Sequence, residues 1–198
     1  MYASVWTWDI VADKVRTLSG RLGFPPGDSL QLIGLKLSLK DGKLYDLYLL
    51  KERPDLAPNI YFVLYRYAHA EQEKPETGKL ISFRQIYGGD IYYKPFENSV
   101  LKVLDREFSS NIDMLVEVAK MLGAEEVKIS DYDSGLKIRV LPLVPIYLAI
   151  DLGDEEFPPL VTLFYDESIK EYFSAEEVSH LSEALTIRLV ELARELGT

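Results

Sequence analysis

The sequence predicts an α+β fold, an antiparallel sheet packed with helices in a single compact domain. Three observations carry that expectation. Helical and extended patterns come in blocks rather than in strict alternation, which disfavours a doubly wound parallel sheet. From Val127 to Tyr165 the apolar period drops to two, with short connections between runs, the mark of an antiparallel meander. The 198 residues suffice for one sizeable domain, and an apolar fraction of 47% beside 27% charge suits a soluble, packed chain.

The elements follow in order. Ser4 is placed to cap a first helix in which Trp8, Val11, Val15, Leu18 and Leu22 recur at helical spacing. The break GFPPGD ends it. LQLIGLKLSLK and KLYDLYLL then alternate apolar and polar positions on either side of Asp41-Gly42, a hairpin signal, so residues 1–53 also read as a small helix-hairpin lobe. RPDLAPNIYFVLYRYAHAEQE is a helix with Leu56, Ile60, Val63, Leu64 and Tyr67 on one face. KPETGK is a loop, LISFRQI a short strand and Gly88-Gly89 a turn. KPFENSVLKVLDREF and NIDMLVEVAKMLG are consecutive helices, the second stopped by Gly123.

Four alternating runs come next: Val127 and Ile129; Leu136, Ile138 and Val140; Ile146, Leu148 and Ile150; Val161, Leu163 and Tyr165. Ser174 and Glu177 form a capping-box pair that opens a last helix. Its apolar stripe is Val178, Leu181, Leu185, Leu189, Leu192 and Leu196.

Composition excludes several functions. A net charge of −10 argues against a nucleic-acid partner, because phosphate binding draws on basic patches. The absence of cysteine excludes disulfides, zinc ribbons, thiol nucleophiles and thiolate-held iron–sulfur clusters from this chain. MYASVWTWDIVADKVR lacks the layout of a signal peptide, and the longest apolar run, VLPLVPIYLAI, is too short to span a bilayer. The expected setting is cytoplasmic, with no membrane partner. Three Asn, three Gln and no Cys beside plentiful Glu point to a thermophilic source.

No P-loop, dinucleotide fingerprint, nucleophile elbow or zincin motif occurs. His69 and His180 lie on different helices without a partner at ligand spacing. In ISFRQIYGGDIYYKPF, Arg84 stands among aromatics beside a glycine pair, a combination that can hold a carboxylate or phosphate; the plainer reading is a turn whose arginine pairs with a carboxylate of the chain. From Asp151 to Glu177 nine of 27 residues are acidic. Within it, GDEEFPP sets Asp154, Glu155 and Glu156 on a turn, and Asp166 ends the next strand. Clustered carboxylates can bind a divalent cation or act as acid and base if burial splits their pKa values. Equally, Gly153-Asp154 can simply make the turn, Phe157 anchor it in the core, and Asp166 cap the turn ESIKEY.

GKLISFRQIYGGDIYYKPF, then LKVLDREF, then LPLVPIYLAIDLGDEEFPPLVTLFYDESIKEYFSAEEV together resemble the bacterial and archaeal family called domain of unknown function 3786, over roughly residues 61–192. The family's function is unassigned. Fusions of some relatives to cysteine-rich iron–sulfur modules imply a setting in anaerobic redox or one-carbon metabolism. This chain departs from that pattern: it has no cysteine, and LYRYAHA places Tyr65 and Arg66 where the family motif carries a histidine. Arg84, Asp154, Glu155, Glu156, Phe157, Asp166 and Glu177 occupy signature positions.

The function expected is a non-catalytic binding or accessory domain for a partner protein or a small ligand. Arg84, Asp154, Glu155, Glu156 and Asp166 are its candidate ligand-binding residues. The alternative is a carboxylate-dependent enzyme, with Mg²⁺, Mn²⁺ or Ca²⁺ on the acidic cluster or acid–base chemistry on a ligand held by Arg84. Cofactor and homodimer formation stay open.

Overall fold

A computed structural model describes residues 5–197. Helix α1 spans Trp8–Arg16, with Thr7 in extended backbone at its N-cap position; Ser4, the expected cap, lies outside the described residues. Val11 and Val15 are buried on the helix, while Leu18 and Leu22, expected on the same helix, are buried in the turns that follow its earlier end at Arg16. Trp8 lies against the Asp41-Gly42 turn, where Gly42 has φ +77° and a side-chain carbon would stand 2.3 Å from the indole. Glycine is therefore demanded twice at that turn, by backbone and by contact.

The first sheet runs in the order β1 (Ser29–Leu32), β2 (Leu35–Ser38), β3 (Leu44–Asp46), β4 (Lys51–Glu52), every pair antiparallel. The stretch read as one strand, LQLIGLKLSLK, is itself a hairpin. Ile33 and Gly34 both have positive φ, 41° and 74°, as a two-residue turn between paired strands needs. A turn of that length returns the chain in phase, so Leu30, Leu32, Leu35 and Leu37 all point to the core.

Helix α2 (Ala57–Tyr67) starts with Pro58 in its first turn and stops six residues short of the expected end. Its predicted face, Leu56, Ile60, Val63, Leu64 and Tyr67, is buried. After an irregular stretch, β5 (Leu80–Ser82) leads into a tight turn, Phe83–Gln85, closed by Ser82 N donating to Gln85 Oε1 at 2.8 Å. Gly88 and Gly89 are not a hairpin turn but the entrance of α3 (Gly89–Phe96). Gly88 has φ +82°, and a side-chain carbon on Gly89 would lie 2.5 Å from the Phe83 carbonyl oxygen. Helix α3 widens through a π-type segment, Glu97–Leu101, into α4 (Lys102–Phe108). Helix α5 (Ile112–Met121) is capped by Asn111 Oδ1 accepting from Met114 N at 3.1 Å, and Gly123 follows it with φ +84°.

Strands β6 (Glu125–Val127), β7 (Ser134–Leu141), β8 (Val144–Asp151) and β9 (Leu160–Asp166) form the predicted meander, and β5 adds itself antiparallel to β9, giving the order β5-β9-β8-β7-β6. Val127 and Ile129 do not share a strand, since β6 ends at Val127. Ile146, Leu148 and Ile150 face Tyr165, Leu163 and Val161 across the β8–β9 pair on the inner side. Tyr147 and Ala149 on the other side form a small cluster with Ile129, so β8 is buried on both faces and reads as a continuous apolar run.

Helix α6 (Ala175–Leu196) packs against α2, α3 and α5 and meets β9 where Tyr165 Oη lies 2.8 Å from Ser182 Oγ. Its capping box forms as expected, with Ser174 N donating to Glu177 Oε2 at 2.9 Å. The stripe from Val178 to Leu192 is buried, while Leu196 at the end is exposed. One continuous apolar cluster joins α1, both sheets, α2, α5 and α6. Among the described residues no helix is long and apolar enough to cross a membrane.

Candidate functional site

The five residues singled out by sequence fall in three places. Arg84 is exposed; its Nη1 donates to Asp90 Oδ1 at 2.9 Å and its guanidinium lies 3.5 Å from the centre of the Tyr93 ring. The charge is thus engaged by a neighbour from the start of α3.

Asp154, Glu155 and Glu156 occupy an exposed loop between β8 and β9. Asp154 Oδ1 accepts from Glu156 N at 2.8 Å and Phe157 N at 2.9 Å, while Asp154 N donates to the Phe157 carbonyl at 2.9 Å. Gly153, with φ +70°, leaves room for that carbonyl, which a side-chain carbon would approach to 2.3 Å. The loop is tied to itself, and Phe157 is 66% exposed at its tip. Phe157 therefore does not plug the core: the self-closed turn turns its ring outward instead.

Asp166 is fully buried. Its Oδ1 accepts from Thr77 N at 2.9 Å, Thr77 Oγ1 at 3.1 Å and Ser168 N at 2.9 Å, and its Oδ2 from Gly78 N at 2.7 Å. Burial pushes its pKa up, but the hydrogen bonds from Thr77, Ser168 and Gly78 outweigh that and hold it below the usual carboxylate value. It caps the turn Glu167–Glu171, as the plainer sequence reading had it, and pins the loop before β5.

These groups do not converge. Asp151 pairs with Leu160 at one end of β9 and Leu80 with Asp166 at the other. Six residues of strand separate the acidic loop from Asp166, about 20 Å at strand rise. Among the described residues no group of three or more carboxylates or histidines is placed to hold a metal ion.

What converges lies elsewhere. Asp46, at an inward position of β3, is fully buried, as is Arg188 on α6; Arg53, just before α2, is 2% exposed. Arg188 grips Asp46 with both terminal nitrogens, Nη2 at 2.9 Å from Oδ1, and Arg188 Nε donates to the Ile33 carbonyl at 3.3 Å. Arg53 Nη1 donates to Asp46 Oδ2 at 3.2 Å and to Glu191 Oε2 at 2.7 Å, and its Nη2 donates to Glu191 Oε1 at 2.8 Å. Asp55 Oδ1 accepts from Arg53 Nε at 3.0 Å. Burial opposes the charge on Arg53, yet Asp55 and Glu191 raise its pKa and keep it a cation. Burial likewise pushes Asp46 up, while Leu49 N, Arg188 and Tyr48 N hold it below the usual value. Among the described residues no buried side-chain nitrogen or oxygen of this network lacks a hydrogen-bond partner, which is what makes such burial tolerable.

The network ends at a groove. Helices α2 and α6 run antiparallel, tied at three levels: Arg53 to Glu191, Asn59 Nδ2 donating to the His180 carbonyl at 3.3 Å, and Arg66 Nε donating to Glu177 Oε1 at 2.8 Å. Glu177 is thus both cap residue and buried anchor for Arg66. Between the ties lies a cavity of about 720 Å³, walled by these two helices and by Val5 and Trp6. Trp6 packs on Phe62 and Tyr65 at ring distances of 4.9 and 5.4 Å, and His180 stands edge-on to Phe62 at 5.2 Å. Asp55, Glu176 and Glu183 set carboxylates around the opening. The volume falls within the range of small-ligand sites.

Sequence reasoning missed this constellation because its members lie far apart in the chain. Two signals were present. Arg188 falls on the same helical face as the leucines of α6, and Asp46 falls on the inward side of the alternation that starts at Leu44. A charge at a core position implies a buried counter-charge.

A family model described as domain of unknown function (DUF3786) matches residues 38–188. It begins upstream of the resemblance read from sequence and so takes in Asp46 and Arg53. No curated protein and no solved structure matches the chain.

Proposed function

The chain belongs to the family described as domain of unknown function (DUF3786), and on that footing we propose that it is a non-catalytic binding domain whose small ligand sits in the groove between α2 and α6. The observation that carries this reading is the groove itself, a cavity of about 720 Å³ with aromatic and polar walls held by three inter-helix ties. Walls fixed before binding reduce the ordering that a ligand must impose. The buried carboxylates Asp46, Asp166 and Glu177 are saturated by hydrogen bonds, and burial has not raised Asp46 or Asp166 toward neutrality. They serve the fold rather than proton transfer. A setting in redox metabolism, beside modules that carry the cysteines this chain lacks, accords with an accessory role.

A second reading, docking of a protein, draws on one further observation. Leu152 and Phe157 on the self-closed acidic loop and Leu160 at the start of β9 are 54%, 66% and 51% exposed. The matching partner has an apolar pocket rimmed by Lys or Arg; a second copy of this chain would bring its own Asp154–Glu156 carboxylates against the first.

A thermal-shift screen of small metabolites decides between the two. A ligand of the groove raises the melting temperature of the wild type and of Glu155→Gln/Glu156→Gln, and loses that effect in Ile187→Trp, which fills the groove. Stabilisation that survives Ile187→Trp rejects the groove as the site.

A further inference from the structure

Deepening the groove reading, we infer that the ligand is a small organic cation carrying a guanidinium or ammonium group. The proposal rests on what surrounds the cavity. Trp6 is half-buried with its ring against Phe62 and Tyr65, so it presents an aromatic surface to the opening. Aromatic faces attract cations through the ring quadrupole, and more strongly where water is partly excluded.

The carboxylates add to that attraction. Glu176, His180, Glu183 and Ile187 project along one flank of α6 at helical spacing. Glu176 has no salt bridge among the described residues, and Glu183 has only His180, whose Nδ1 lies 4.0 Å from Oε2. Asp55 and Glu177 are already engaged by Arg53 and Arg66. Two carboxylates of the groove, Glu176 and Glu183, therefore stand without an arginine or lysine partner among the described residues, in a chain of net charge −10. The local potential is negative, and entry of an anion would oppose it.

An unpartnered acceptor points the same way. Asn59 lines the groove, and while its Nδ2 donates to the His180 carbonyl, its Oδ1 is enclosed with no hydrogen-bond partner. A buried acceptor left open is unfavourable, and an N–H-rich ligand recovers it once the Asn59 side chain turns its enclosed oxygen toward the cavity. Ammonium and guanidinium groups bring three and five donors and no acceptor. Aromatic surface and unneutralised carboxylate in one concavity, with an unpartnered amide oxygen enclosed in its wall, are the recognition set of an organic cation.

The test is isothermal titration of the full chain at pH 7.5 and low salt with agmatine, which bears both groups, and with glutarate as the anionic counterpart. We expect agmatine to bind with a Kd of about 1 mM or tighter. Glu176→Gln/Glu183→Gln should weaken it at least about tenfold, a loss of 1.4 kcal/mol. Both residues lie at the opening, so the variant keeps the fold. Glu155→Gln/Glu156→Gln removes the same charge from the remote loop and should leave Kd unchanged. Equal weakening by the two double variants means diffuse counter-ion attraction and overturns the proposal. Glutarate binding that depends on Arg66 overturns the cation class while leaving the groove as the site. If neither ligand binds, the cation proposal falls, and the metabolite screen decides the groove reading alone.

Discussion

Two sets of charge in this molecule obey opposite rules. Asp154, Glu155 and Glu156 are consecutive in sequence and exposed, and Asp154 accepts from the backbone of its own loop. Asp46, Arg53, Arg188 and Glu191 come from β3, the α2 approach and α6, and meet in the interior. A run of carboxylates along the chain reports contact with water, whereas charges gathered from distant elements report a joint. Only the second set adjoins the groove, because Arg53 ties it to Asp55 on the groove wall.

The sharpest way to break that comparison is to remove one member of the joint. Arg188→Met leaves Asp46 buried with Arg53 as its only cation and should lower the unfolding free energy in urea by about 3–5 kcal/mol. A loss below about 1 kcal/mol would place the network with ordinary surface pairs.

Asp166 offers the next test, since it belongs to the acidic segment by sequence and to the interior by structure. Asp166→Asn replaces one saturated oxygen by a donor and should cost about 1–3 kcal/mol at pH 7. The acid limb gives an independent check. Asp46 and Asp166 both have folded-state pKa values below those of the unfolded chain, about 3.9 for an aspartate. Their contribution is complete above that value and is lost as pH falls through the lowered folded-state values. Unfolding free energy should therefore hold from pH 7 to 5 and fall steeply below 4, less steeply in Asp166→Asn.

Gly153→Ala tests the loop's own closure. The residue has φ +70°, and the added carbon meets the Phe157 carbonyl, so a penalty of about 1–2 kcal/mol is expected without loss of fold. The smallest effects belong to Glu155→Gln/Glu156→Gln and to Phe157→Ser, each within about 0.5 kcal/mol of the wild type. A larger loss in Phe157→Ser would mean that the ring is buried after all.

Much of the fold was legible because it rests on local rules. The meander follows from period-two runs, α2 and α6 from apolar stripes, and the Ser174–Glu177 box from its spacing. The misses also have local reasons. The Ile33-Gly34 turn keeps its flanking leucines in phase and so reads as one strand. Gly88-Gly89 signals any backbone that needs positive φ or close approach, a helix entrance as well as a hairpin. The site was legible only in fragments. Glu177 and His180 were visible as a cap and a lone histidine, but nothing in the chain sets Trp6 beside Phe62 or Arg53 beside Glu191 until α2 and α6 pack.

The central claim, that binding belongs to the groove and not to the acidic run, is tested most directly by mapping amide chemical shifts of the ¹⁵N-labelled protein during agmatine titration. The account predicts saturable shifts at Asn59, Phe62, Glu176, His180 and Glu183, with Asp154 to Phe157 unmoved. Shifts centred on Asp154, Glu155 and Glu156, with the helix pair silent, would contradict it.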